Sequence, residues 1–381
     1  MSGDPEQEYF SDGITEEIIT GLAKVPKLFV IARNTTFSYK GKSVKVNQVA
    51  EELGVRYVLE GSVRKAGDRV RITAQLIDAL GGHHLWAERY EKDLKDIFAL
   101  QDEITMKIIS AVGIELTAGE QYGDMLLPPS GSLEVFMKAM KGYEYFIRLN
   151  KESNILARQE VEEAIALDPE YSPLYSLLVW THLTDLLYQT SESPLISFAQ
   201  ASKNIKKALA MDDKDWYAHL ALCWLYFLRT EHDKAIDAAE RAIALNPNGA
   251  DAYAQLGLMF AYSGRAEEGI KLIEKSMRLN PIPDAYQLDY LGCAYRFVGR
   301  FEDEIEVHKE VLKRSPNNLF AHVWLTAAYS ASGREEEARQ QAQELLELDP
   351  AFSLDKTAGA FFRNEAEAEQ FIADLRKAGL K

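Results

Sequence analysis

Two cysteines, Cys223 and Cys293, are all that the 381 residues hold. They give no disulfide framework, so the fold must rest on buried apolar surface, and a reducing compartment is compatible with the chain. No stretch approaches the run of about 20 apolar residues that a spanning helix needs. No basic n-region with an apolar h-region opens the chain, so no secretory signal is expected. The expected location is cytoplasmic; the alternative is periplasmic or membrane-tethered through a segment upstream. Basic residues fall short of acidic ones, 43 Lys+Arg against 59 Asp+Glu, a net charge of −16. Residues 1–124 contribute 15 against 20, or −5, and the remainder 28 against 39, or −11. Both halves disfavour a phosphate backbone, and no nucleic-acid partner is expected.

Catalytic signatures are also missing. There is no GxxxxGK[ST] and no GxGxxG. The two glycines of "EGSVRKAGDR" are explained by a hairpin turn. His83 and His84 are adjacent on a turn, and adjacent side chains of an extended segment point apart, which does not suit a metal. Asp12, Glu16 and Glu17 sit near a helix start, where the dipole favours them. Nothing resembles paired metal-binding aspartates. No catalytic residue, cofactor or metal is expected, and the chain reads as a non-enzyme.

What is present is a repeat. Similar phrases end at Pro169, Pro247, Pro281, Pro316 and Pro350, and from Pro247 onward the intervals are 34, 35 and 34. Asp213 takes the proline's place 34 residues before Pro247 and 44 after Pro169. About ten extra residues there, "TSESPLISF", read as a polar loop. A 34-residue helix–turn–helix period is the tetratricopeptide signature. Packing positions agree with it: Leu222, Leu256, Leu291 and Leu325; then Cys223, Gly257, Gly292 and Thr326; then Tyr226, Phe260, Tyr295 and Tyr329; then Ala235, Gly269, Glu304 and Ala338. Small residues let two helices approach, and the aromatic fills the space beside them. Glu304 breaks the small-residue rule, so its repeat is expected to pack more loosely. Cys223 and Cys293 read as small buried hydrophobes.

Such arrays bind proteins or peptides. The first helix of each repeat contributes to a concave face, here offering Tyr217, Trp224, Phe227, Tyr262, Tyr286, Tyr290, Arg296, Phe297, Phe320 and Trp324. Aromatics and Arg are enriched in binding hot spots. Tyr217, Trp224, Tyr262, Tyr286, Tyr290, Arg296 and Trp324 are the candidate groove. The competing role for each is packing between repeats. A carboxylate clamp would need Lys, Arg or Asn where the chain has Leu220, Ala254, Asp289, Val323, Trp224, Leu258, Cys293 and Ala327, and is not expected.

The N-terminal part reads as α-β-α-β-β-β-α. A helix runs over Gly13–Val25 and "KLFVIARNTTF" reads as a strand. "VNQVAEELGV" is a short helix stopped by Gly54. Three alternating strands follow, turning at Ala66–Asp68 and Leu80–Gly82. The helix of "DIFALQDEITMKIISAVGIEL" has Asp96 as N-cap. Residues 118–131 lose periodicity and form a linker. The domains are therefore 1–117, the linker, six repeats over 132–350 (132–169, 172–213, 216–247, 250–281, 285–316, 319–350), and a capping helix region over 351–381.

The stretches "GDPEQEYFSDGITEEIITGLAKVPKLFVIARNTTFSYKGK", "VAEELGVRYVLEGSVRKAGDRVRITAQLIDALGGHHLWAERY" and "DIFALQDEIT" resemble the TolB amino-terminal-like (FlgO-related) domain. That domain precedes tetratricopeptide arrays in bacterial class III adenylate/guanylate cyclase-type proteins and winged-helix regulators. The resemblance implies a strand of the type "IAVLPFxN" before "MSGDPEQEYF", so the domain is expected to lack its first strand. The edge at "LFVIAR" is then expected to be exposed and to promote self-association. The implied fold class is an α/β (α+β) domain with a mixed sheet, followed by an all-α tetratricopeptide superhelical solenoid. The implied function is a non-catalytic interaction and regulatory scaffold in bacterial signal transduction. Two alternatives stand beside it: the regulatory fragment of a cyclase, and a small-ligand sensor in the TolB-like domain.

Overall fold

Helix α1 (Pro5–Ala23) opens the structure, a computed structural model that describes residues 5–26, 28–112, 132–148, 150–187, 190–191, 193–354 and 362–381. It begins eight residues before Gly13, with Phe10, Ile14, Ile18 and Leu22 buried along one stripe. Gly13 lies where a Cβ would come within 2.5 Å of Met140 Cγ and 2.9 Å of Phe136 Cζ, so its bareness admits the next helix layer.

The residues after α1 depart from expectation. Leu28–Ala32 joins no helix and no ladder among the described residues, and Arg33–Phe37 is a short helix, α2, entered from an extended Ala32. Leu28 and Val30 pack on the core while Phe29 is 53% exposed. The alternation of a strand is present without the pairing partner, and a strand exists only as half of a ladder. After α3 (Val46–Leu53), Gly54 stops the helix in the left-handed region.

Strands β1 (Tyr57–Ala66), β2 (Arg69–Asp78) and β3 (His83–Asp93) form a sheet in the order β1-β2-β3. Both pairings are antiparallel, with Gly61 opposite Ala74 and Ala74 opposite Glu88. The sheet among the described residues is therefore antiparallel throughout rather than mixed, because tight turns join its strands. Gly67, at φ +59, makes the first turn. Central β2 buries Val70, Ile72, Ala74 and Leu76. Against them lie Ile97, Leu100, Ile104 and Ile108 of α4 (Ile97–Ala111). Asp96 holds the N-cap position of α4 but its side chain makes no capping bond. Asp96 also ends the 3-10 turn Leu94–Asp96, and its backbone, at φ −96 and ψ 11, is not the extended one of a capping residue.

The chain divides into two compact units, Met1–Ala221 with Leu245–Asn248, and Leu222–Ala244 with Gly249–Lys381. The first unit also holds α5 (Leu133–Phe146), α6 (Lys151–Leu167), α7 (Ser172–Leu187), α8 (Pro194–Met211) and the start of α9 (Trp216–Phe227). Phe136 of α5 joins the core of α1, β2 and α4. The expected linker, 118–131, lies outside the described residues. The ten extra residues enter longer helices rather than a loop alone. Pro194 starts α8, an 18-residue helix, and α6 and α7 run to 17 and 16 residues. Proline costs nothing there, since the first helical N–H has no partner to lose. Asn248 is also part of this unit. Its side-chain amide donates to the Ala23 carbonyl at 2.9 Å and the Val25 carbonyl at 3.2 Å.

The second unit contains the rest of α9, α10 (His232–Leu245, to Ala244), α11 (Ala250–Tyr262), α12 (Ala266–Leu279), α13 (Ala285–Phe297), α14 (Phe301–Arg314), α15 (Leu319–Ala331), α16 (Glu335–Leu348) and α17 (Glu365–Lys377). A Cβ on Gly269 would lie 2.4 Å from the Gly257 carbonyl oxygen, so α11 and α12 meet backbone to backbone. The α13–α14 pair solves the same place differently: Gly292 faces the His308 ring, and Glu304 is wholly buried. The turns between paired helices share one device. In "FAYSGR", "YRFVGR" and "YSASGR", Gly264, Gly299 and Gly333 take positive φ. The following Arg returns its backbone N–H to the aromatic's carbonyl (Arg265 to Phe260, 2.8 Å; Arg300 to Tyr295, 2.9 Å; Arg334 to Tyr329, 2.9 Å). Its guanidinium covers the same ring at 3.6, 4.2 and 4.8 Å. In the α9–α10 turn Thr230 occupies the positive-φ position, at 59°.

Candidate functional site

Six of the seven candidate groove residues lie in the second unit, and Tyr217 lies in the first. There Tyr217 packs on Trp180, ring centroids 5.2 Å apart, and its carbonyl accepts the Trp180 indole N–H at 3.2 Å.

Within the second unit the aromatic side chains of successive first helices touch. Trp224 meets Phe227 edge-on at 5.5 Å and Tyr290 at 6.1 Å; Tyr290 meets Tyr286 at 5.4 Å. Phe227 meets Tyr262 at 5.0 Å, and Tyr262 meets Phe297 at 5.1 Å and Trp324 at 6.4 Å. Edge-to-face contacts of this kind add to the area they bury. The Tyr286 hydroxyl donates to Asp251. Burial, and then Asp251, pushes that phenol well above its ordinary range. Trp324 is 3% exposed and Tyr262 5%. The row is continuous, and much of it is covered.

The cover is the end of the chain. Phe362 lies 5.4 Å from Tyr262, 5.5 Å from Phe297 and 6.4 Å from Trp324. Phe371 of α17 lies 4.7 Å from Trp324. Arg363 Nη1 reaches Asp233 Oδ1, at the start of α10, at 2.7 Å. Asp374 of α17 pairs with Arg296, whose guanidinium also stands 4.9 Å from the Phe371 ring. Arg296 Nη1 is 3.7 Å from Glu304 Oε2, and the Arg296 side chain is 8% exposed. One cation thus faces two acids in a dry place. Burial pushes the Glu304 carboxyl up to about 8; Arg296 opposes the shift and Asp374 adds to it. The acid that breaks the small-residue rule is therefore the partner of a candidate groove arginine. Phe362, Phe371 and Asp374 were outside the sequence reading of the groove. An Arg and an Asp 78 residues apart carry no local signal of their pairing.

Cys223 and Cys293 are buried free thiols, pushed up by burial. Among the described residues no group of three His, Cys, Asp or Glu side chains converges on a metal position. No helix among them is long and apolar enough to cross a membrane. In the first unit a cleft of about 1770 Å³ runs beside the unpaired side of β1. Ile18, Leu22, Val30, Val63, Ile72 and Ile104 are among its walls.

Comparison with known proteins fits this division. Residues 4–107 match the model of the HilA/YgeH-like transcriptional regulator second domain, and residues 250–283 match a tetratricopeptide repeat. Tetratricopeptide repeats follow an N-terminal α+β domain. The model matched by that domain carries the HilA description, not the TolB-like one. The chain is similar to a putative adenylate cyclase. That relative, "Putative adenylate cyclase 3" of Rhizobium meliloti (strain 1021), is 42% identical over 248 residues, 64% of this chain. The chain spans 40% of its length. Solved structures similar to the chain include MamA, at 26% identity over 41% of this chain and 91% of that one, TM-score 0.33. The Thermus thermophilus tetratricopeptide protein TTC0263 matches at 17% identity over 50% and 96%, TM-score 0.41.

Proposed function

We propose that this chain is a non-catalytic regulatory module of a bacterial signalling protein, and that it engages a protein partner through the first-helix face of its repeats. The observation that carries the reading is the unbroken aromatic row Trp224–Phe227–Tyr262–Trp324 with buried Arg296 beside it. Stability alone does not call for a buried arginine, since an apolar residue of similar volume does as well there. Arg and Trp are hot-spot residues. The cyclase-type relative supports a place in cyclic-nucleotide signalling, with the TolB-like resemblance pointing the same way.

The test has two arms. The purified chain with ATP or GTP and Mg²⁺ or Mn²⁺ is expected to form no cyclic nucleotide. Mixed with the part of the Rhizobium meliloti relative outside the matched 248 residues, it is expected to bind saturably by calorimetry and to change that part's cyclic AMP output. Turnover by the chain alone, confirmed by mass spectrometry, overturns the non-catalytic reading. Absence of both binding and output change overturns the regulatory one.

A second reading concerns the cleft along β1. A ligand pocket is typically about 300–1,000 Å³. This cleft, at about 1770 Å³ and flanked by an unpaired strand, is large and long enough for an extended apolar segment. The self-association expected at "LFVIAR" transfers to β1, the edge strand of the sheet that borders the cleft, with β3 as the other edge.

A further inference from the structure

The last helix of a repeat array ordinarily stacks on the final repeat and shields its apolar side. The geometry here is different. The segment 362–377 contacts Asp233 of α10, Tyr262 of α11, Arg296 and Phe297 of α13, and Trp324 of α15. Those residues belong to four successive helix pairs. A helix stacked as the next repeat would reach the last pair only. Helix α17 packs on Trp324 of α15 and pairs Lys377 with Glu335 of α16, but it also reaches back to Arg296 of α13. Phe362 and Arg363 before it reach α11 and α10. The segment therefore runs across the first-helix face, along the aromatic row, rather than continuing the stack.

Its chemistry matches that face and the start of α10. An aromatic (Phe362) enters among three rings, and a cation (Arg363) meets Asp233. A second aromatic (Phe371, 3% exposed) covers Trp324, and an acid three residues on (Asp374) meets the buried Arg296. We propose that the first-helix face of α11, α13 and α15 is a binding site for an amphipathic segment carrying this spacing, aromatic–basic, then aromatic–x–x–acidic eight positions on, and that residues 362–381 are its resident ligand. A partner presenting the same pattern in trans displaces them. The inference rests on the interaction-module reading and adds the ligand class and the competitor.

A tethered ligand acts at an effective concentration of order mM, so the intact chain resists a free competitor. Weakening the resident segment opens the site. The probe is a fluorescein-labelled peptide of residues 362–381, titrated by anisotropy into the full chain. With Phe371→Ala the peptide is expected to bind at least tenfold more tightly than to the unaltered chain. Adding Arg296→Met to that variant is expected to weaken it again by at least tenfold. Asp374→Asn, which removes charge but not volume, gives the same order of results at smaller amplitude and serves if the Phe371 variant does not fold. Hydrogen exchange of the unaltered chain is expected to show α17 amides exchanging at least tenfold faster than those of α15. Equal exchange in α17 and α15, or a folded variant that binds the peptide no better than the unaltered chain, makes the segment a fixed part of the core and overturns the proposal. A partner that binds the unaltered and Phe371→Ala chains equally overturns this inference while leaving the interaction-module reading intact.

Discussion

The α+β part of the first unit and the repeats of the second bury apolar surface by opposite means. The former uses large branched side chains, Ile14, Ile18, Ile72, Ile104 and Ile108, around a three-stranded sheet with a cleft beside it. The latter removes side chains altogether at Gly257 and Gly269, lets backbones touch, and fills the open face with aromatic rings and its own C-terminal segment. Branched aliphatics tolerate a nearby void better than a backbone–backbone contact tolerates one extra methyl, because side chains can shift and helix backbones cannot. Apolar burial thus gives a forgiving region and an exacting one.

Four measurements break or sharpen that contrast. The largest effect is expected from Trp324→Ala, which empties a site touched by Tyr262, Phe362 and Phe371. It should cost about 3–5 kcal/mol. Calorimetry should show the loss in the repeat transition, with the α+β transition unmoved. A melting profile without change would instead make Trp324 a free groove residue. Next, Gly269→Ala should cost about 1–3 kcal/mol by overpacking. Gly13→Ala should cost less, since it meets the flexible Met140 side chain and the tip of the Phe136 ring. Equal losses in chemical denaturation would erase the contrast between the regions.

The third is a pH effect. Glu304 is held up at about 8, against an ordinary carboxyl near 4.5. The folded form binds the proton more tightly, so the stabilisation is fully present below about 4.5 and lost as pH rises through about 8. The charged neighbours are Arg296 on α13 and Asp374 on α17; Asp289, Cys293 and His308 lie in the same buried region. Docking of α17, followed by exchange of its amides, should weaken from pH 6 to pH 9. Glu304→Gln should flatten that slope, and an unchanged slope would show that another group sets it. The smallest effect is at Thr230, a β-branched residue at φ 59 where the other turns have glycine. Thr230→Gly should raise stability by about 1 kcal/mol, seen as a small rise in Tm. No rise, or a fall, would show that the α9–α10 turn gains more from the threonine side chain than it loses in backbone strain.

What the sequence made legible was what repeats or alternates locally. Prolines spaced 34 and 35 residues apart mark the ends of the later helix pairs, and Gly257 with Gly269 mark a close crossing. The failures were non-local. Leu28–Ala32 has a strand's composition, but pairing is decided by what lies beside it, and among the described residues no strand does. Glu304 looked like a flaw because its partners, Arg296 and Asp374, are set by tertiary structure. For the aromatic row, groove and packing were both open, because the position of Phe362 and Phe371 over it depends on how the later chain returns.

Asn248 adds a constraint of timing. The carbonyl ends of α1 receive its amide from 225 residues further along the chain. A ribosome adding about 5–20 residues per second needs roughly 10–45 s to deliver it after α1 has emerged. For that interval α1 stands with the Ala23 carbonyl turned to water. Helix α1 is thus fastened only long after it is made, and a chain interrupted before Asn248 would release α1 without its clasp.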